Sequence, residues 1–245
     1  MTITSHHNQK LKEIRKLRQR RRWRERAGRF VAEGEDLLAA ADAAGWIAVE
    51  RFCAAGSGLA GVEVDEKLLA SASGIASGTR ALAVYDERWT PSPAGPLSLY
   101  LHGVHDPGNV GAVLRSAEAF GVSCVVLGPG SADPFGPKAV RASMGAIFTV
   151  PVAKGGPLPG VKIALVPGRG LPLRELWRST SDTPKQIAIA RDEVTVMVGA
   201  EREGLPEEVI AEADHIAHIP IETSSLNAAM ATTVALYELG HRIKA

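Results

Sequence analysis

The sequence predicts an α/β protein whose C-terminal part is a parallel sheet covered on both faces, preceded by a smaller α/β unit. Three features carry this. From Leu97 onward, short apolar runs alternate with helix-period segments, the pattern of strands buried on both sides. The same alternation occurs in a shorter form before residue 87. Between the two lies "ERWTPSPAGP", residues 87–96, with three prolines and few apolar groups, which reads as a linker.

The N-terminus is basic. Within a net charge of +1, residues 1–30 hold 11 of the 28 Lys+Arg and 2 of the 27 Asp+Glu. In "KLKEIRKLRQRRRWRERAGRF", Arg15, Arg18, Arg22, Arg26 and Arg29 recur every three or four residues. One continuous helix would stack them on one side, with Leu11, Ile14 and Leu17 as its packing face. Such a stripe suits a nucleic-acid phosphate backbone, because arginine forks onto phosphate and binding releases counterions. A solvated helix face or an Arg-rich transit peptide has the same composition. "FVAEGEDLLAAADAAG" then reads as a short entry and a helix ending at Gly45, "WIAVERFCAA" as a strand, "VDEKLLASASG" as a helix and "TRALAVYD" as a strand.

In the second part, "LSLYLHGV", "CVVLG", "AIFTVPV", "VKIALVP", "QIAIA", "VTVMVGA" and "HIAHIPI" read as strands. Helices are expected over "HDPGNVGAVLRSAEAFG", "FGPKAVRASMG", "PEEVIAEA" and "SLNAAMATTVALYELGHRIKA". No apolar run approaches the roughly 20 residues of a membrane span, and no secretory signal opens the chain. Cys53 and Cys124 lack disulfide or zinc spacing, so a reducing cytoplasm is the expected compartment. His102/His105 and His215/His218 lie on or beside strands, where that spacing points partners to opposite faces, so no metal is expected.

In an open parallel sheet, ligands bind beyond the carboxyl ends of the strands. Four such ends carry polar groups, mostly beside glycine: Asp106, Gly108, Asn109 and Arg115; Gly168-Arg169-Gly170; Glu201 and Gly204; and Ser224, Ser225 and Asn227. Each also has an ordinary structural reading. Asp106, Asn109 and Ser224 suit helix caps, Glu201 a solvated loop, and Arg115 a surface pair with Glu118. Arg115 is unusual in its setting, since the outer face of its helix offers only Gly111, Ala112 and Ala119 as neighbours. Phosphate-loop and G-x-G-x-x-G signatures are absent, as is a nucleophile turn.

Taken together, "DPGNVGAVLRSAEAFG", "VGAEREGLP" and "IPIETSSLNAAMATTVALYE" resemble the three motifs of the SpoU/TrmH branch of the SPOUT RNA methyltransferases, over roughly residues 97–243. The N-terminal part is similar to the ribosomal-protein-like substrate-binding domain that often precedes this module. "KAVRASMGAIFTVPV" is similar to a subgroup that includes antibiotic-resistance methyltransferases of large-subunit rRNA. The resemblance implies a trefoil knot, a homodimer, S-adenosylmethionine as cofactor, and methylation of an RNA ribose 2′-hydroxyl. rRNA is favoured over tRNA; a non-catalytic RNA-binding protein on the same fold is the rival.

The domains expected are 1–90 for RNA binding, 91–96 as linker and 97–245 for methyl transfer. By position, Arg115, Asn109, Glu201, Asn227 and Ser225 match the catalytic set. Gly199, Ile219 and Leu226 match backbone contacts to the methyl donor, with Pro167, Gly168 and Gly204 beside them. Arg15, Arg18, Arg22, Arg26 and Arg141 are the expected RNA contacts. The chain departs from many members at Glu222-Thr223-Ser224, where they carry a longer, glycine-containing stretch. The small residues around Arg115 are expected to leave room for a nucleotide and a partner subunit. Ala228, Ala229, Ala231 and Ala235 suit close helix–helix approach across the dimer, and a helix packed within one subunit has the same composition.

Overall fold

The structure, a computed structural model, describes residues 2–74, 78–176 and 193–243. The basic segment forms two helices, α1 (Gln9–Gln19) and α2 (Arg21–Ala27), rather than one. The break falls at Arg20, whose backbone is extended. The apolar stripe Leu11-Ile14-Leu17 ends there, and Arg24 turns back to donate to the Leu17 carbonyl at 2.7 Å, satisfying an orphan carbonyl at the end of α1.

Next come β1 (Arg29–Glu33), α3 (Glu35–Ala43), β2 (Glu50–Ala54), β3 (Val62–Val64), α4 (Glu66–Ala72) and β4 (Ala81–Asp86). The strands form a sheet in the order β1-β4-β2-β3. Two-residue periodicity divides its side chains. Val31, Leu82, Val84 and Phe52 pack with Leu11, Ile14, Leu17 and Leu69 in one core. Phe30, Ala83 and Tyr85 belong to the opposite core, shared with the second sheet. The expected strand from Trp46 is shorter because Trp46 turns inward, its indole donating to the Phe148 carbonyl at 2.7 Å.

The second part runs β5 (Leu97–Leu101), α5 (Pro107–Phe120), β6 (Cys124–Leu127), α6 (Pro137–Ala142), β7 (Val152–Lys154), β8 (Val161–Leu165), β9 (Leu171–Pro172), β10 (Val194–Val198), α7 (Glu207–Ile210), β11 (His215–His218) and α8 (Ala228–Ile243). The sheet order is β7-β6-β5-β10-β8-β11-β9, and every neighbouring pair is parallel. Leu99, Val125 and Val196 pack under α5 and α8, while Met197 and Ala164 face α7 on the other side. The expected strand "AIFTVPV" is a 3-10 turn, Ala146–Phe148, followed by β7 alone. Its Ile147 and Phe148 fill the shared core instead of a ladder, the ambiguity inherent in short apolar runs. The expected strand "QIAIA" lies outside the described residues.

The two sheets are fastened by more than a linker. Phe30, Trp46 and Tyr85 from the first part meet Phe148 from the second with ring centroids 5.2–6.0 Å apart. Beside them the buried Arg24 guanidinium pairs with Asp133 at 2.7 Å. This cluster holds the basic helices in a fixed position against the carboxyl edge of the parallel sheet.

Candidate active site

The site begins with the cap of α5. Asp106 accepts from the Asn109 backbone N–H at 3.1 Å and Pro107 opens the helix, so Asn109 projects from the first turn. Its Nδ2 donates to Glu201 Oε1, and its Oδ1 accepts from Asn227 Nδ2 at 3.0 Å. Asn227 in turn caps α8 through Ala229 N (2.9 Å) and Met230 N (3.3 Å). One hydrogen-bonded chain therefore joins the segments after β5, β10 and β11. The Ser116 and Thr233 hydroxyls, 2.7 Å apart, tie α5 to α8 farther along. Asp106 also pairs with Lys138 at 2.7 Å, which with the Asn109 N–H holds its carboxyl below the usual carboxylate range.

Glu201 stands at the rim of a cleft of about 460 Å³ at the carboxyl ends of β8, β10 and β11. Pro167, Gly199, Gly204, Ser225, Ile219 and Leu226 line it; Gly168, in the turn after β8, does not. Leu165 and Val198, which sequence reasoning did not single out, form apolar wall; their signal is position, each ending a strand that points at the cleft. Gly199 has a steric cause: a Cβ there would lie 2.1 Å from the Gly204 carbonyl carbon. The Ala200–Gly204 turn, closed by two backbone hydrogen bonds, presses against it. Among the described residues, no hydrogen bond uses the backbone of Ile219 or Leu226, which leaves polar groups free at the cleft wall.

Arg115 is exposed and, among the described residues, has no hydrogen bond or ion pair. Six residues separate it from Asn109, which turns it about 120° around the helix axis. It does not line the cleft of its own chain. Of its small neighbours, Gly111 has a different cause from the one expected, while Ala112 is half-buried and Ala119 exposed. Gly111 is buried against α6, where a Cβ would meet the Ala139 carbonyl oxygen at 2.4 Å. Likewise Ala228, Ala229 and Ala235 are buried within this chain rather than offered to a partner. Among the described residues, Met230, Val234 and Tyr237 are large apolar side chains that α8 leaves exposed, one turn apart along it.

The expected RNA contacts divide. Arg22 and Arg26 are exposed, and Arg15 donates to Ser71 Oγ at 3.2 Å. Arg18 is turned inward onto the buried Glu33 carboxylate, which Arg141 also approaches at 3.5 Å. A buried carboxylate needs such counter-charges, and that explains the position of Arg18 without RNA. Of the histidines, His102 bonds the Tyr100 hydroxyl and His218 the Arg169 carbonyl.

A parallel α/β sheet, a cleft at its carboxyl edge and an appended basic unit define a nucleic-acid-directed enzyme scaffold with a small-molecule site. Comparison with known proteins makes this specific. Residues 96–237 match the SpoU rRNA Methylase family, and residues 8–87 match an MRM3-like substrate binding domain. The chain belongs to the SpoU rRNA methylase family. It is 31% identical, over 97% of its length and 92% of the relative's, to an uncharacterised tRNA/rRNA methyltransferase of Synechocystis. It is also 31% identical to a 23S rRNA guanosine 2′-O-methyltransferase of Bacillus subtilis, over 58% of this chain and 56% of that one. Among solved structures, an AdoMet-bound rRNA methyltransferase from Sinorhizobium meliloti superposes with a TM-score of 0.82 at 28% identity, covering 99% and 98% of the two chains.

Proposed function

We propose that this protein transfers a methyl group from S-adenosylmethionine to a ribose 2′-hydroxyl of RNA, with large-subunit rRNA as the favoured substrate over tRNA. The observation that carries the reading is the Glu201–Asn109–Asn227 chain of hydrogen bonds at the rim of the cleft. The rRNA activity named for the Bacillus subtilis relative supports the substrate class.

The cleft fits the cofactor. Leu165, Val198, Ile219 and Leu226 offer apolar walls for a purine ring, and the free backbone groups of Ile219 and Leu226 suit its polar edge. When bound, S-adenosylmethionine supplies an electrophilic methyl group. The chain's own residues position the nucleophile. Asn109, held on both sides, fixes Glu201 and the start of α8 around the reacting centre. Arg115 grips the substrate phosphate, and its fixed charge favours the alkoxide that develops as the hydroxyl loses its proton. Because Arg115 faces away from its own cleft, it serves the cleft of a second copy. The homodimer this requires is supported by the exposed stripe Met230-Val234-Tyr237.

Other parts of the reading follow. Arg22 and Arg26, with Arg15, meet the RNA backbone. The boundary at 91–96 is supported by the first sheet ending at Asp86 and the second beginning at Leu97. A trefoil knot is supported by β11, which follows both β8 and β9 in the chain yet inserts between them. No helix among the described residues is long and apolar enough to cross a membrane, and a cytoplasmic location suits an rRNA modifier.

The test is incorporation of labelled methyl from S-adenosylmethionine into unmodified rRNA and, separately, tRNA, followed by digestion to nucleosides. Label in a 2′-O-methyl nucleoside from rRNA is expected. Label on a base would overturn the ribose assignment, and absence of both label and cofactor binding would favour the non-catalytic RNA-binding reading.

A further inference from the structure

A second cleft, of about 370 Å³, lies between α2 and the carboxyl ends of β6 and β7. Both parts of the chain build it: Arg21, Glu87 and Trp89 from one side, the 128–133 loop and Lys154 from the other. Glu87 is pinned by its backbone N–H, which donates to the Gly28 carbonyl at 2.7 Å. Its Oε2 accepts from the Trp89 indole at 2.9 Å, and among the described residues nothing donates to Oε1. Burial pushes this carboxyl above the usual range, opposed by the Trp89 hydrogen bond. Trp89 is fixed edge-on against Phe135, with centroids 5.0 Å apart, and the Lys154 ammonium rests 4.2 Å from its ring centroid.

The cleft adjoins the candidate active site. Gly130 packs so closely on the segment leading into α5 that a Cβ would lie 3.3 Å from Gly103 Cα and from the His105 ring. Asp106, the cap that positions Asn109, is the next residue. A half-buried carboxylate oxygen without a donor, an aromatic wall and two rim cations, Lys154 on the indole and Arg21 paired with the lining Glu25 at 2.9 Å, together suit a nucleotide. The oxygen accepts an N–H, the indole faces a planar ring, and Arg21 and Lys154 meet phosphate.

We propose that this cleft takes a nucleobase bearing an exocyclic amine, from the RNA strand beside the methylated nucleotide, with Glu87 Oε1 accepting from the amine. Uracil presents a carbonyl at the corresponding position and is rejected by the carboxylate. This inference rests on the RNA reading above and adds to it a sequence preference outside the cofactor cleft.

Cytosine and uracil differ there by amine against carbonyl, so labelled rC10 and rU10 are the probes, bound to the full-length protein and followed by fluorescence anisotropy. The wild type is expected to bind rC10 at least about tenfold more tightly than rU10, the scale of one hydrogen bond to a charged group. Glu87→Gln is expected to bring the ratio within about twofold, by weakening rC10 binding and strengthening rU10 binding, since the neutral amide no longer repels the uracil carbonyl. Equal affinities in the wild type would overturn the proposal, whether or not the variant folds, and so would an undiminished preference in a folded Glu87→Gln. CMP alone is expected to compete weakly; CMP binding as tight as rC10 would assign the cleft to a free nucleotide instead. Methyl transfer, scored separately, distinguishes the two readings. A cytosine preference that Glu87→Gln removes, without any methylation or S-adenosylmethionine binding, sinks the enzyme reading and leaves this one.

Discussion

Asn109 is where three distant segments of the chain become one site. It donates to Glu201 and accepts from Asn227, so Asn109→Ala leaves a half-buried carboxylate and a helix cap without their shared partner. Denaturant unfolding is expected to show a loss of about 1–3 kcal/mol, and methyl-transfer assays a fall in kcat exceeding any rise in KM for RNA. A kcat at the wild-type level would remove the positioning role. Arg115 has the opposite profile, exposed and unpaired among the described residues. Arg115→Ala is expected to abolish turnover while calorimetry finds cofactor affinity unchanged. Sequence alone singled out Asn109 and Asn227 as candidates but not their contact, because the hydrogen bond that joins them spans 118 positions of the chain.

Helix α5 carries Asn109 and Arg115, and its ends and faces explain how legible it was. The Asp-Pro start and the Gly121 end are local signals, and the helix runs where they place it. What local signals could not supply was the neighbour. Gly111 read as open space beside Arg115, but α6 occupies that face. The same limit explains the basic helix: spacing put Arg18 with Arg22 and Arg26, while a buried Glu33 on β1 drew Arg18 inward. Two tests belong here. Gly111→Leu is expected to cost about 1–3 kcal/mol by thermal unfolding, since α6 must move aside. The Asp106 cap should carry a pH signature. Lys138 and the Asn109 N–H hold its carboxyl below the unfolded value, so its stabilisation is full above that value and is lost as pH falls through the folded one. Asp106→Asn keeps an acceptor at the cap and is expected to flatten this part of the acid decline. An unchanged acid decline in the variant would assign it to other carboxylates.

At the scale of the whole molecule, the two parts share an aromatic core and a buried Arg24–Asp133 pair. Arg24→Ala strands Asp133 in that interface and is expected to lower stability by about 3–5 kcal/mol. Wild-type urea unfolding should be a single transition by both tryptophan fluorescence and circular dichroism; two separated transitions would mean the parts fold independently. The linker composition marked the boundary between the parts but not the interface, because the residues that fasten them, Phe30, Trp46, Tyr85 and Phe148, are scattered and carry no joint periodicity. A methyl-transfer site completed by a second copy is open to a subunit-mixing experiment. Arg115→Ala removes the phosphate grip, and Leu226→Trp fills the cofactor cleft; each alone should be inactive on rRNA. Coexpressed in equal amounts, they form mixed dimers in which one cleft is intact and faces an intact Arg115, so about a quarter of wild-type activity should return. Mixed dimers as inactive as either parent would contradict the shared site.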